Sequence, residues 1–140
     1  MSTTTETRGQ RNNNPGNIRL GQTWQGLAPT QPDPDFCTFV DAEHGIRALC
    51  LILLNYQRID SLKTVRQMIN RWAPPADHND TSAYVSFVAG RMGVDPDAGV
   101  SMMDPTTLRA CAAAIIAQEC AGYAYADGVV TAAMGMAGVA

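Results

Sequence analysis

A chain of 140 residues with 46% hydrophobic and 16% charged side chains can close one hydrophobic core and is too apolar to remain unfolded, so a single domain over residues 1–140 is expected. The net charge of −3 excludes the basic face that nucleic-acid binding needs, and no apolar run is long enough to insert into a membrane. The cysteines Cys37, Cys50, Cys111 and Cys120 lie among apolar residues without a paired-cysteine motif; they read as buried free thiols, and neither metal nor cofactor is expected.

Residues 1–10 are rich in Ser and Thr and are expected to be flexible. They contain no apolar signal core, so the expectation is a protein made and kept in the cytoplasm unless something else exports it. From residue 11 to Phe36, Gly, Pro and Asn recur without helical period, predicting an irregular segment with a short hairpin near Trp24. This segment opens with Arg11-Asn12-Asn13-Asn14-Pro15-Gly16-Asn17-Ile18-Arg19, amides crowded around a Pro-Gly turn. Such side chains either settle the turn themselves or present donors and acceptors to a polar ligand such as a sugar. Trp24, Phe36 and Phe39 follow closely; Trp24 is either a lid on the core or a flat face for stacking a sugar ring.

Asp41 is placed to cap a helix running to about Arg58, and Ile46, Leu49, Cys50, Leu53 and Tyr56 leave that helix little polar face, predicting the central core helix. Ser61 or Thr64 can open a second helix carrying Val65, Met68, Ile69 and Trp72, stopped by Pro74-Pro75. Asn79-Asp80-Thr81 caps a third, bearing Tyr84, Val85, Phe87 and Val88 and ended by Gly93. Asp104-Pro105 starts a fourth, over about 105–119. There Leu108, Cys111, Ala112, Ile115, Ile116 and Glu119 share one face at spacings of three and four. After the break Gly122-Tyr123-Ala124-Tyr125, Asp127 is read as the cap of a last Ala- and Met-rich helix to about Ala137.

Glu119 therefore ends an apolar stripe at the C-terminal, negative pole of its helix, where a charged carboxylate is disfavoured. That is the setting of a general acid for glycoside cleavage, and equally of an ordinary exposed helix-end residue. Glu6 and Glu43 are the competing acids. Glu6 lies close to the Asn-rich loop but in a flexible start, and Glu43 suits the first turn of its helix.

Several stretches resemble a family of small bacteriophage and prophage proteins: Arg8-Gly9 with RNNNPGNIR, Trp24-Gln25-Gly26, Phe36 to Phe39, His44-Gly45-Ile46-Arg47-Ala48-Leu49, and Arg71-Trp72-Ala73-Pro74-Pro75 with Asn79-Asp80-Thr81. The resemblance spans nearly the whole chain and implies a virion-associated protein with a lysozyme-like fold. More distantly, Ala114-Ile115-Ile116-Ala117-Gln118-Glu119 resembles the helix end that carries the catalytic glutamate in soluble lytic transglycosylases and flagellar-type glucosaminidases. In those enzymes the glutamate precedes the Asn-rich loop, the aromatic pair, the core helix and a Tyr-containing helix, whereas here it comes last. The resemblance thus implies a mainly α, lysozyme-like single domain, circularly permuted, with an irregular N-terminal segment; surface termini that lie close together make permutation reasonable. The small polar residue that typically follows the glutamate is replaced by Cys120-Ala121-Gly122.

On this reading the ligand is a peptidoglycan glycan strand, and Glu119 is the single general acid/base of a lytic transglycosylase or muramidase. Asn13, Asn14 and Asn17 bind acetamido and hydroxyl groups, and Trp24, Phe39, Tyr84 and Tyr125 line the groove. Tyr84 serves equally well as a core residue. The place of action is the periplasmic cell wall, reached from a virion or from the host cytoplasm. The alternative is a non-enzymatic virion or baseplate component that keeps the fold to bind cell wall or other virion proteins. The acidic charge, the missing second acid and the tail from Val129 to Ala140, which can serve as a partner helix or pack on its own domain, stand behind that alternative.

Overall fold

Each long helix but the last begins where a side-chain oxygen meets the free amides of its first turn, and these caps fix the element boundaries in a computed structural model that describes residues 6–139. Asp41 accepts from His44 N at 2.9 Å and opens α2, Ala42–Arg58. Thr64 and Gln67 cap one another reciprocally at the start of α3, Val65–Trp72. Asp80 opens α4, Thr81–Met92, and Gly93 closes it in the left-handed region at φ 69°. Asp104 with Pro105 opens α5, Pro105–Glu119. The last helix, α6, spans Asp127–Met136, and its cap position is Ala126 rather than Asp127: the Asp carboxylate sits inside the first turn, where it faces the positive pole instead of capping.

The start of the chain holds an element that its Ser- and Thr-rich composition does not announce. Thr7 and Gln10 form a capping box around a one-turn helix, α1, Arg8–Arg11. Residues 1–5 lie outside the described residues. The segment from 12 to 40 is irregular, as expected, but holds no hairpin near Trp24. Its only strand-like pairings are isolated antiparallel bridges, Arg19 with Phe36 and Leu27 with Phe39. Side-chain amides take the backbone groups that a ladder would use: Gln31, for example, both donates to Thr38 O at 2.8 Å and accepts from Thr38 N at 2.7 Å.

Among the described residues the protein is mainly helical, with α2 in the middle. Ile46, Leu49, Cys50, Leu53 and Leu54 of α2 are all buried, a helix too apolar to face water on any broad side. Helix α6 lies along it through Val130, Ala133 and Met134, so the tail completes the domain's own core. Helices α3, α4 and α5 pack in sequence beside it, α4 running against both α3 and α5. The cysteines are free and buried, and burial pushes the Cys50 and Cys111 thiols up to about 12, so both serve as small apolar core side chains. No helix among the described residues is long and apolar enough to cross a membrane.

The irregular segment forms a small core of its own, Ile18, Cys37 and Phe39 closing over Ala48 of α2, with Trp24 and Leu27 laid against it. It also has a polar hub. The buried Asp33 carboxylate accepts from Arg8 Nε and Nη2, both at 2.6 Å, from Asn12 Nδ2 at 2.9 Å, and from the backbone of Asp35 and Phe36. The Arg8 fork holds the Asp33 carboxyl well below the usual carboxylate range, against the opposing effect of burial. A depressed folded-state value means that the stabilisation is complete above the unfolded value of 3.8 and is lost as pH falls through the lower folded one. Unfolding free energy measured from about pH 6 to about pH 2.5 should therefore fall more steeply in the wild type than in Asp33→Asn, the divergence appearing below about pH 4. Parallel curves would dismiss the hub as a source of acid sensitivity.

Candidate functional site

The amide-rich loop is first of all a self-stitched structure. Asn14 is fully buried; its Nδ2 donates to the carbonyls of Ile18 and Cys37 and its Oδ1 accepts from Ile18 N, all at 2.9 Å. Asn12 joins Asp33 to Thr38. Asn13 donates to the Phe39 carbonyl at 3.1 Å. Asn13 and Asn14, expected to meet a sugar, are therefore engaged by their own backbone neighbourhood, and Asn14 has no arm left for a ligand.

Asn17 is the exception, because of how the loop is seated. Asn13 and Asn17 both adopt left-handed backbone angles, at φ 51° and φ 50°, tolerable for Asn and costly for most residues. The loop carbonyl of Asn13 comes so close to α2 at Gly45 that a Cβ there would overlap it. At Gly16, a Cβ would meet the Trp72 ring at 3.2 Å. Two glycines thus let the loop press onto α2 and α3, and the turn between them aims the Asn17 side chain at the end of α5.

There Asn17 Nδ2 donates to Glu119 Oε1 at 2.9 Å, while the Tyr84 hydroxyl donates to Glu119 Oε2 at 2.8 Å. Trp72 Nε1 in turn donates to the Tyr84 oxygen at 3.1 Å. Tyr84 comes from α4 and Trp72 from α3, so the packing of α3, α4 and α5 assembles the chain Trp72–Tyr84–Glu119. Burial, and then the neighbouring Glu119 charge, push the Tyr84 hydroxyl far above its usual range, so it stays protonated and remains a donor. Glu119 is half-buried and lines a cleft of about 400 Å³ together with Asn17, Phe36, Tyr56, Trp72, Arg19, Arg71, Asp77 and Asn79.

The other expected site residues fall elsewhere. Trp24 covers the small core beside Phe39, which is itself buried within it; neither lines the cleft. The aromatic surfaces that do are Phe36, Tyr56 and Trp72, the last two from helix faces whose pattern reads as core. Tyr125 packs edge-to-face on Tyr123 with ring centres 4.8 Å apart and is not part of the lining. Glu6 is exposed and Glu43 sits in the first turn of α2; the lining includes neither. Arg19 and Arg71, which close and open two of the quoted motifs, add two cations to the lining, and Asp77 adds a second carboxylate.

Chemically, Glu119 is a carboxyl group oriented by two neutral donors on the wall of an open cleft. Both of its oxygens accept hydrogen bonds, and among the described residues no positive side chain pairs with it.

No protein-family model matches the chain. Over 91 residues it is 42% identical to "Protein P5" of Pseudoalteromonas phage PM2, a match that covers 62% of this chain and 56% of that protein. The chain thus spans little more than half the length of the curated relative it matches, and the similarity is to a bacteriophage protein.

Gly45→Ala, which forces a methyl group into the Asn13 carbonyl, should lower unfolding free energy by about 3 kcal/mol. Gly90→Ala, in α4 with open space around it, should raise it by roughly 0.5–1 kcal/mol. Denaturant melts of the two variants check this, and equal effects would discount the tight seating of the loop. Tyr84→Phe leaves the Trp72 indole N–H and one Glu119 oxygen without their partner, and should cost about 1–2 kcal/mol in the same assay.

Proposed function

We propose that the protein is a peptidoglycan-cleaving glycosidase of bacteriophage origin, a lysozyme-like and circularly permuted domain in which Glu119 is the single general acid/base. The observation that carries this reading is the meeting of Glu119 with the Asn17 loop on one cleft wall, a contact between residues 102 positions apart. The order of the chain fits permutation, with the Asn-rich loop first and the acid-bearing α5 near the end, yet both flank one groove. The sequence similarity to a phage protein agrees with delivery by a virion or release from the host cytoplasm, with the periplasmic cell wall as the place of action.

In this reading a glycan strand lies in the cleft against Tyr56 and Trp72. Protonated Glu119 donates to the glycosidic oxygen as the bond from that oxygen to the sugar's anomeric carbon breaks. The carboxylate left behind, held by Asn17 and Tyr84, then takes a proton from the nucleophile that attacks that carbon. The nucleophile is either the sugar's own 6-hydroxyl, which gives an anhydro product, or a water, which gives a reducing end.

A second reading rests on the same geometry. Both Glu119 oxygens already have protein donors, as in a carboxylate that serves the fold, and this favours a non-enzymatic cell-wall-binding or virion component. Glu119→Gln separates the two. In the enzymatic case a folded variant, checked by circular dichroism, should clear purified cell walls at least about a hundredfold more slowly than wild type. An undiminished rate would rule Glu119 out, and a wild type that binds walls without releasing soluble fragments would favour the binding role. Mass spectrometry of the products distinguishes anhydro ends from reducing ends.

A further inference from the structure

We infer that Arg19 recognises a carboxylate on the ligand of this cleft, so that the site selects anionic glycan strands over uncharged ones; the inference rests on the glycan-cleft reading above. Arg19 is exposed on the cleft wall, directly after the turn that carries Asn17. Its guanidinium has no carboxylate or other hydrogen-bond acceptor among the described residues. It is nevertheless not adrift: the Arg19 backbone is bridged to Phe36, and the guanidinium lies 5.2 Å from the centre of the Phe36 ring. A cation resting on an aromatic face keeps its N–H edges free, and a planar fork held in that way matches a carboxylate in two hydrogen bonds.

The rest of the cleft makes this position particular. Arg71, the other lining cation, is already paired with Asp60 at 3.2 Å. Asp77, also on the lining, repels an anion from its own part of the rim. The chain as a whole carries −3 and does not attract polyanions at long range, so recognition of a negative ligand has to be local. On this lining Arg19 is the cation without a carboxylate partner among the described residues. In peptidoglycan such a carboxylate comes either from the lactyl ether of a sugar stripped of its peptide or from the stem peptide.

The test measures binding in the Glu119→Gln protein, so that no probe is consumed, with and without Arg19→Gln. The probes are glycan strands freed of peptide by an amidase, peptide-bearing strands, and chitohexaose, which has no carboxylate. The expected result is roughly tenfold weaker binding to at least one anionic probe, with chitohexaose unchanged and with the loss shrinking at high salt. A loss confined to stripped strands identifies the lactyl carboxylate, and one confined to peptide-bearing strands identifies the stem. Equal weakening on all probes, or none on the anionic ones, overturns the assignment of Arg19. These affinities do not depend on turnover. Failure of wild type to lyse walls would therefore remove the catalytic reading alone, and absence of binding to every probe would remove both.

Discussion

The structure depends on one close approach, the Asn13 carbonyl resting against α2 where Gly45 leaves room for it. The loop could not sit at this depth over a larger residue, and with it would move the small core of Ile18, Cys37 and Phe39 that closes over Ala48. Because interiors are packed at crystal-like density, a displacement there is not absorbed locally. The positive φ angles of Asn13 and Asn17 are the local cost of that seating. The Asn14 hydrogen bonds and the Asp33 hub are what hold the chain in it.

This seating also fixes what surrounds Glu119. Its helix brings it only to the rim of the core. The polar surroundings come from elsewhere: an amide from the N-terminal loop, a hydroxyl from α4, and behind that hydroxyl an indole from α3. None of these carries a charge, so the carboxyl group is oriented without being locked into an ion pair. The contrast with Asp33 is instructive. That carboxylate is gripped by the Arg8 fork, and its ionisation is fixed by the pair. The two acids sit in one small domain and differ in their partners, a charged fork for one and neutral donors for the other.

Much of the helical framework could be read directly from residues. Caps at Asp41, Thr64, Asp80 and Asp104, the stop at Pro74-Pro75 and the left-handed Gly93 are local signals, and the structure places α2 to α5 where they point. The buried stripe of α5, ending at Glu119, followed from spacing alone. The one-turn helix at Arg8–Arg11 was hidden because a single turn has no periodicity to detect; its only trace is the Thr7 and Gln10 pair, three residues apart. The aromatic lining went astray for a different reason. Trp24 and Phe39 lie in a glycine-rich loop that looks exposed yet folds over its own core, whereas Trp72 lies on a helix face that looks like core yet borders the cleft.

What the sequence determined by itself was therefore the helices, their order and the candidacy of Glu119, because hydrophobic period and capping act within a few residues. Only the tertiary structure decided which of the neighbouring amides serves the site and which serve the loop, since Asn12, Asn13, Asn14 and Asn17 are chemically identical. Their fates are set by contacts with Asp33, Phe39, Cys37 and Glu119, partners from about twenty to a hundred positions away. Direction in space, fixed by two left-handed residues and one missing Cβ on α2, is the property that no local pattern encodes.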